Sequence, residues 1–314
     1  MTRALVVGFG SIGTRHARLL AEMGHTIGIV SRRPCAHDSS YATIADGLAQ
    51  FRPDYVVIAN ETSAHCRTLD AVRRGGFTGP ILVEKPLWDV GEAPLQISGD
   101  NIFVGYNLRF HPVLIALNAL LAGQNLVSAE VFCGSYLPDW RPGRDYRQTA
   151  SALQAHGGGA LRDLSHELDY LTWLFGPWRR VAAVGGRLSP LEIETDDVQM
   201  ALIETERCRA VSLSLNYVER KPRRGLIVTT TETTLIADLE AGTLTRGQGE
   251  NIGVAPFDMD ETYRAQHRAL LDGPQHHICN FGHALKVVTL VAAIEKAGRH
   301  GVWVAHTESE DARS

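Results

Sequence analysis

The stretch ALVVGFGSIGTRHARLL, residues 4–20, joins an apolar run, a glycine-rich turn and the start of a helix. A second apolar run follows at residues 26–30, so the segments predict a strand, a helix and a second strand. Gly8 would allow a tight turn, Gly10 would let the backbone approach a pyrophosphate, and Gly13 would let the helix pack against the strand. The stretch predicts a dinucleotide-binding βαβ unit, with an ordinary glycine turn as the alternative.

The start of the predicted helix and the end of the second strand define the proposed dinucleotide site. The backbone N–H groups of Ser11 and Ile12 lie where the helix dipole favours phosphate. NAD sites normally carry Asp or Glu about 20 residues after the glycines, to bind the ribose 2′-hydroxyl. This chain has Ser31, Arg32 and Arg33 at that position, and guanidinium groups suit a 2′-phosphate. The sequence therefore favours NADP over NAD, with a solvated arginine loop as the alternative.

Composition and charge argue against several classes of protein. The 314 residues are 44% hydrophobic and 21% charged, with a net charge of −4, which is typical of a globular protein of two domains rather than a nucleic-acid-binding protein. No apolar run reaches the roughly 18 residues of a membrane span. The five cysteines form no CxxC pair, so we expect reduced thiols and no metal site. Because a strand begins at once, we expect no signal peptide and a cytoplasmic location.

Strands and helices alternate in the first third of the chain. Short apolar runs of the buried type lie at residues 55–59, 81–83 and 102–104, with helical patterns between them. This alternation predicts a parallel sheet with helices on both faces. We therefore predict a Rossmann domain at residues 1–115.

The pattern changes after a helix predicted at residues 112–122. Residues 211–217 alternate apolar and polar side chains, as in an antiparallel sheet with one covered face. Further strands are expected near residues 127–133, 181–187, 197–204, 226–230 and 234–239. A late helix is expected near residues 280–297. We predict an α/β domain on an open, mainly antiparallel sheet at residues 116–314.

Lys85 follows the apolar run 81–83 and precedes Pro86. It would lie at the carboxyl end of a parallel strand, where open α/β sheets bind ligands. A lysine at this edge suits proton transfer or polarisation of a substrate hydroxyl. The alternative is a surface lysine before a turn.

Residues 157–177 begin with three glycines and end in Gly-Pro, which predicts one helix of about four turns. One stripe of this helix is apolar and comprises Leu161, Leu164, Leu168, Leu171 and Phe175. Asp163, His166 and Tyr170 share the opposite face. An acid, an imidazole and a phenol on one face could move protons, and a solvated polar face is the alternative.

A long irregular stretch separates the strand near residues 127–133 from these glycines. It contains aromatic and arginine residues together, including Tyr136, Trp140, Arg141, Arg144, Tyr146 and Arg147. Aromatic rings cover the apolar faces of a sugar, and guanidinium groups bind carboxylate or phosphate. We take Trp140, Arg144 and Tyr146 as candidate substrate contacts, with a mobile surface loop as the alternative.

Several segments together resemble the Gfo/Idh/MocA family, which includes glucose–fructose oxidoreductase and inositol dehydrogenase. The matching segments are GFGSIGTRHARLL at 8–20, the strand 55–59 with His65, VEKP at 83–86, VGYNLRFHP at 104–112 and GGGALRDLSHELDYLTWLFG at 157–176. The resemblance covers nearly the whole chain. It implies a Rossmann domain followed by an α/β domain on an open sheet, in agreement with the patterns above.

The resemblance also implies roles for individual residues. Lys85 would contact substrate and nicotinamide, and His166 would be the general acid/base with Asp163 as its partner. Three residues separate Asp163 and His166 where the family usually has four, although both spacings share a helix face. The remaining implied contacts are Asn60, His65 and Glu84 with the cofactor, and Asn107, Arg109 and Tyr170 with the substrate.

We therefore predict an NAD(P)-dependent oxidoreductase that transfers a hydride between nicotinamide and a secondary alcohol or ketone of a sugar. The segments DLSHELDY and WRPGRDYR resemble members from surface-glycan and nonulosonic sugar pathways. Two alternatives stay open: a non-catalytic regulator that binds dinucleotide and sugar, and an enzyme that retains its cofactor and uses transient oxidation. By analogy with the family we expect a homodimer or homotetramer.

Overall fold

The structure is a computed structural model that describes residues 1–32, 35, 37–89, 99–273 and 276–306. The chain divides into two compact units. The first comprises Met1–His111 and Phe257–Leu285, and the second comprises Pro112–Pro256 and Lys286–Ser314. Each unit has its own sheet, and the α/β fold class predicted from the sequence is confirmed.

The strands of the first unit, numbered in chain order, are β1 (Arg3–Val7), β2 (Thr26–Val30), β3 (Ser40–Tyr41), β4 (Tyr55–Ile58), β5 (Ile81–Val83), β6 (Ile102–Val104) and β15 (Cys279–Asn280). They form one sheet in the order β15-β6-β5-β4-β1-β2-β3. All neighbours pair in parallel except β15 and β6. β4 and β5 are buried along their whole length, as expected of strands covered on both faces.

The helices of the first unit are α1 (Ser11–Glu22), α2 (Ile44–Asp46), α3 (His65–Arg74) and α7 (Met259–Leu271). The apolar face of α1 buries Leu19 and Leu20 completely. Three ion pairs join the exposed sides of α1 and α7: Asp260 pairs with both Arg15 and Arg18, and Arg264 pairs with Glu22. A final helix, α8 (Phe281–His300), contains the Leu285/Lys286 division between the units.

The sequence-based division of the chain differs from the observed one. The predicted change at residues 115/116 lies close to the observed division after His111. Residues 257–285, however, were expected in the second domain and instead belong to the first unit. The reason is that α7 buries Gln266 and His267 completely within that unit. Local patterns do not reveal such a return of the chain.

The second unit contains β7 (Leu126–Gly134), β8 (Trp178–Gly186), β9 (Val198–Thr205), β10 (Val211–Asn216), β11 (Arg223–Thr230), β12 (Thr234–Asp238), β13 (Thr243–Arg246), β14 (Glu250–Ile252) and β16 (Val304–Ala305). They form a nine-stranded sheet in the order β14-β13-β12-β11-β7-β10-β9-β8-β16. Only the β7–β10 pair is parallel among the pairings of the described strands. The mainly antiparallel sheet that the alternating pattern predicted is therefore present.

The helices of the second unit are α4 (Pro112–Leu120), α5 (Ala160–Asp163) and α6 (His166–Phe175). The prediction of a single helix after the glycines is wrong, because the helix is interrupted at Leu164 and Ser165, between α5 and α6. At the break the backbone forms i→i+3 bonds, from Ser165 N–H to Arg162 O and from Glu167 N–H to Leu164 O, both 3.3 Å. The five predicted apolar side chains of this segment are nevertheless all buried.

No helix in the described part of the chain combines the length and the apolar character needed to cross a bilayer.

Candidate functional site

The glycine turn between β1 and α1 has the shape that a pyrophosphate requires. Gly8 has a φ of +98°, and a Cβ there would lie 2.6 Å from the backbone nitrogen of Asn60. A Cβ on Gly13 would collide with the carbonyl oxygen of Gly8. A Cβ on Gly10, in contrast, would meet no atom of the described chain within 4 Å. Close packing therefore requires glycine at Gly8 and Gly13, whereas Gly10 faces open space.

The N-terminus of α1 adjoins this open space. Its N-cap is Gly10, no side chain caps it, and its first turn carries no acidic residue. The first N–H groups of the helix, which include those of Ser11 and Ile12, have no intrahelical acceptors. Such an end binds anions, because the N–H groups and the helix dipole both favour negative charge. The residues present thus fit a dinucleotide phosphate.

The end of β2 carries the side chains expected to choose the cofactor. Ser31 is fixed there by a bond from its N–H to the carbonyl oxygen of Tyr41, 3.1 Å long. Arg32 is exposed, and Arg33 lies outside the described residues. The preference for NADP therefore stays a prediction.

Asn60 and His65 bridge two turns at the carboxyl ends of β4 and β5. The ring nitrogens of His65 lie 3.0 Å from the carbonyl oxygen of Pro86 and 3.2 Å from that of Asn60. Burial lowers the pKa of His65, although these carbonyls oppose the shift. The predicted cofactor contact through His65 is therefore not supported, since both nitrogens face backbone.

Asn60 keeps one group available for a ligand. Its amide nitrogen donates to the hydroxyl of Thr68 over 2.8 Å. Its amide oxygen is buried and has no hydrogen-bond partner among the described residues. A buried polar atom without a partner is costly. This oxygen could accept a bond from a carboxamide or hydroxyl of a bound dinucleotide.

Glu84 and Lys85 occupy the carboxyl end of β5, as the sequence predicted. The Glu84 carboxylate is 6% exposed, and its Oε1 lies 2.8 Å from Nε2 of His16. Its Oε2 accepts the backbone N–H of Lys85 over 3.2 Å. Both carboxylate oxygens of Glu84 are thus bonded inside the unit, and its contact with a cofactor stays a prediction. Lys85 is half-buried and precedes a cis peptide bond to Pro86.

Asn107 and Arg109 are also engaged within the first unit. They are 2% and 3% exposed. The Asn107 amide nitrogen donates to the hydroxyl of Thr262 over 2.6 Å, and an Arg109 guanidinium nitrogen lies 3.5 Å from the carbonyl oxygen of Ile278. These bonds hold the returning segment in place. Both side chains are buried, and their substrate contacts stay predictions.

The second unit places Asp163 beside a tyrosine that the sequence analysis missed. The Tyr217 hydroxyl donates to Oδ2 of Asp163 over 2.6 Å. Burial raises the pKa of Tyr217 well above its ordinary value, and the Asp163 charge raises it further, so the hydroxyl keeps its proton. Asp163 ends α5 and the half-buried His166 begins α6. The sequence predicts the pairing of Asp163 with His166 on one continuous helix face. In the structure the helix is interrupted between these two residues.

Tyr170 is a core residue rather than a site residue. It is 0% exposed, and its hydroxyl donates to Oε1 of Glu167 over 3.2 Å. The same Glu167 oxygen lies 2.8 Å from Nε of Arg224. Burial, followed by the Glu167 charge, raises the pKa of Tyr170 well above its ordinary value. Because α6 turns this side chain into the core, the substrate contact of Tyr170 stays a prediction without a described contact to carry it.

The irregular stretch before α5 forms a shallow pocket within the second unit. Its lining includes Trp140, Arg141, Arg144 and Tyr146. Arg147 differs, since its guanidinium is paired with the carboxylates of Asp145 and Glu192. Arg141 and Arg144, which line the pocket, are therefore the candidates for binding an anionic ligand.

Trp140, which lines this pocket, is connected to Asp163 through Tyr217. The Trp140 ring packs edge-on against the Tyr217 ring, with centroids 5.1 Å apart. The Trp140 indole nitrogen donates to the hydroxyl of Ser135 over 2.7 Å, which fixes the ring. Arg220 lies over the ring of Tyr136, with 3.6 Å from its guanidinium carbon to the ring centroid. The predicted aromatic loop and the predicted acid thus belong to one cluster.

Comparisons with known proteins show which family domain and which solved structures the chain is similar to. Residues 120–236 match the family model for the GFO/IDH/MocA C-terminal domain. The family resemblance found in the sequence is thereby confirmed over these residues. A comparison with curated protein sequences gave no match.

Three solved structures illustrate the shared fold. GenD2 from gentamicin A biosynthesis, in complex with NAD, is 22% identical, with a TM-score of 0.79 over 98% of this chain and 97% of that one. Levoglucosan dehydrogenase in complex with NADH is 17% identical, with a TM-score of 0.80 over 98% and 100%. The WlbA dehydrogenase from Bordetella pertussis, with NADH and UDP-GlcNAcA, is 18% identical, with a TM-score of 0.74 over 98% and 99%.

Proposed function

We propose that the protein is an NAD(P)-dependent oxidoreductase that transfers a hydride between nicotinamide and a secondary alcohol or ketone of a sugar or sugar derivative. The observation that carries the proposal is the open space over Gly10 at the uncapped N-terminus of α1. The matched family domain and the nucleotide-bound dehydrogenases of the same fold support it.

The dinucleotide would supply the hydride chemistry, and the protein would supply binding and proton transfer. The glycine turn and α1 would hold the phosphates. Lys85 would hold the reacting oxygen of the substrate and stabilise its developing negative charge. His166 would take the hydroxyl proton during oxidation and return it during reduction.

Asp163 would assist through its fixed orientation. Because Tyr217 donates to Oδ2 of Asp163, the carboxylate is held in a fixed orientation. A carboxylate near His166 would favour the charged imidazolium that forms when the ring takes a proton. This role requires Tyr217 to keep its proton, which its raised pKa ensures.

NADP is the cofactor that we propose, because Ser31, Arg32 and Arg33 stand where NAD sites carry an acid. The exposed Arg32 would bind the 2′-phosphate. The test compares Kd for NADPH and NADH in the wild type and in Arg32→Glu. We expect NADPH to bind the wild type more tightly and Arg32→Glu to lose that preference. Equal affinities in the wild type would indicate that the arginines are solvated.

The substrate that we propose is a sugar with a carboxylate or phosphate group. Arg141 and Arg144 would bind that group, and Trp140 would cover the sugar ring. WlbA, of the same fold, was crystallised with UDP-GlcNAcA, a nucleotide sugar. We expect Arg144→Ala to raise KM by at least about tenfold for an anionic sugar. The matched change Arg147→Ala, at a paired arginine, should leave KM near the wild-type value.

A homodimer or homotetramer would cover the outer face of the second sheet. Large apolar side chains are exposed there, namely Val184, Met200, Leu202 and Ile236. Exposed apolar patches of this kind mark interaction surfaces. Light scattering after size exclusion should show an oligomer for the wild type and a smaller species for Leu202→Glu. A monomeric wild type would contradict the proposal.

A further inference from the structure

Four buried polar side chains form a continuous hydrogen-bonded chain inside the first unit. The Tyr55 hydroxyl lies 3.0 Å from Nδ1 of His267, and Nε2 of His267 lies 2.9 Å from Nδ1 of His16. Nε2 of His16 then lies 2.8 Å from Oε1 of Glu84. The first three residues are 0% exposed and Glu84 is 6% exposed. We refer to these four residues as the buried chain.

The buried chain joins four separate elements of the first unit. Tyr55 begins β4, His267 belongs to α7, His16 belongs to α1, and Glu84 follows β5. One of these elements lies in the returning segment 257–285 and another begins with the glycine turn. The buried chain therefore links the returning segment and the helix after the glycine turn to the end of β5, where Lys85 lies.

With Glu84 ionised and both histidines neutral, the donors and acceptors of the buried chain have one consistent order. An ionised Glu84 can only accept, so His16 must donate through Nε2. In a neutral His16, Nδ1 then accepts, which makes Nε2 of His267 the next donor. Nδ1 of a neutral His267 accepts in turn, and the Tyr55 hydroxyl donates to it. The negative charge of Glu84 thus orients every bond.

The electrostatics of the two members farthest from Glu84, His267 and Tyr55, agree with this order. Burial lowers the pKa of His267 well below its ordinary value. Burial raises the pKa of Tyr55 well above its ordinary value, and the Glu84 charge adds to the shift. At neutral pH His267 is therefore uncharged and Tyr55 keeps the proton that it donates.

The Glu84 end of the buried chain is built around the carboxylate. Oε2 accepts the backbone N–H of Lys85 over 3.2 Å, while Oε1 faces His16. A Cβ on Gly105 would lie 2.7 Å from Oε1, so only glycine leaves room for it. One carboxylate oxygen is thus fixed by the buried chain and the other holds the backbone of Lys85.

We propose that His16 and His267 are positioning residues, which act through Glu84 to hold Lys85 in its working position. The inference rests on the proposed function, because it assumes that Lys85 contacts the reacting oxygen. Neither histidine touches substrate or cofactor in this role. A small displacement of a reacting group lowers turnover strongly while leaving binding largely intact.

The first test examines the order of the bonds without measuring activity. Histidine labelled with ¹⁵N reports which ring nitrogen carries the proton, and His16→Gln and His267→Gln assign the two signals. We expect both rings in the neutral Nε2–H form at neutral pH. An Nδ1–H form at either ring, or a charged His267, would overturn the proposed order.

The second test separates positioning from folding. His16→Leu should lower kcat by at least about tenfold and change the cofactor KM by less than about threefold. His16→Gln should recover most of the loss, because a glutamine amide can still donate to Glu84. His25→Gln changes a half-buried histidine outside the buried chain and serves as the control. If His16→Leu does not fold, Gly105→Ala tests the same carboxylate from the opposite side and should also lower kcat.

Failure of this inference is distinguishable from failure of the proposed function. Wild-type kcat in folded His16→Leu or Gly105→Ala, together with loss of activity in Lys85→Met, would overturn the positioning role alone. Wild-type kcat in Lys85→Met would overturn the role of Lys85 in the proposed function, whatever the histidine variants show.

Discussion

Replacing Gly10 by alanine should weaken dinucleotide binding without destabilising the protein. Gly10 has a φ of −82° and a ψ of −165°, which any residue adopts, and its added methyl group would meet open space. The backbone entropy lost from the unfolded chain could even raise the free energy of unfolding by about 0.4–1 kcal/mol. The same methyl group would, however, occupy the position where the pyrophosphate approaches the backbone.

Gly8 provides the matched control for this prediction. Alanine there would hold a φ of +98° and place its Cβ 2.6 Å from the Asn60 nitrogen. Backbone strain of about 1–3 kcal/mol and overpacking of about 1–3 kcal/mol should together lower the free energy of unfolding by about 3 kcal/mol. The two substitutions are chemically identical, so only their surroundings distinguish them.

Calorimetric titration with NADPH and NADH, combined with denaturant unfolding, measures both effects. For Gly10→Ala we expect a Kd raised at least about tenfold, which corresponds to about 1.4 kcal/mol, and unchanged or increased stability. For Gly8→Ala we expect a large loss of stability. Wild-type affinity in a folded Gly10→Ala protein would refute the assignment of this turn to the dinucleotide.

Three further predictions concern the catalytic residues, the two tyrosines and pH. Lys85→Ala and His166→Ala should each lower kcat by at least about 10²-fold; near-normal steady-state turnover in both would remove their roles. Tyr217→Phe should lower kcat by about tenfold, because Asp163 loses its hydrogen-bond donor. Tyr170→Phe should instead lower the free energy of unfolding by about 1–3 kcal/mol and leave kcat unchanged. The reverse pattern in kinetics and unfolding would contradict the assignment of Tyr217 to the site and Tyr170 to the core. Burial lowers the folded-state pKa of His65 and His267. At a pH below the unfolded-state pKa of about 6.5, the unfolded chain therefore binds more protons than the folded one. Stability should therefore fall from pH 7 toward pH 5 by up to about 1.4 kcal/mol per pH unit for each histidine, and His267→Gln should reduce that slope; an unchanged slope in unfolding curves would contradict the burial of a neutral His267.

The parts of the fold that depend on local pattern were predictable from the sequence. The glycine turn, β1 and α1 follow from residues 4–20 alone, since turn chemistry and helix periodicity act over a few residues. The buried strands β4, β5 and β6 were equally clear, because strands covered on both faces are continuously apolar.

The parts that depend on tertiary packing were not predictable. Nothing in the pattern of residues 259–271 tells which unit their apolar face covers, so α7 was assigned to the wrong one. The break at Ser165 was hidden because the apolar stripe continues across it. As a result, the sequence places Tyr170 on one face with His166, and it gives no signal for Tyr217 at the end of an alternating strand.

The candidate site shows the same division between local and distant information. The position of Lys85 at the end of β5 was predictable, because the strand pattern before it and the proline after it are adjacent in sequence. Glu84 and Arg109 were taken as ligand contacts, yet their partners His16 and Ile278 lie far away in the chain. Buried polar bonds between distant segments leave no periodic trace in a sequence.

The most direct test of the central claim is the absorbance of reduced nicotinamide when the protein is mixed with NADP or NAD and a panel of neutral and anionic sugars. We expect at least one anionic sugar to reduce the dinucleotide, and we expect Lys85→Met to abolish that reduction. Tight dinucleotide binding without reduction by any sugar would contradict the proposed hydride transfer and favour the regulatory alternative.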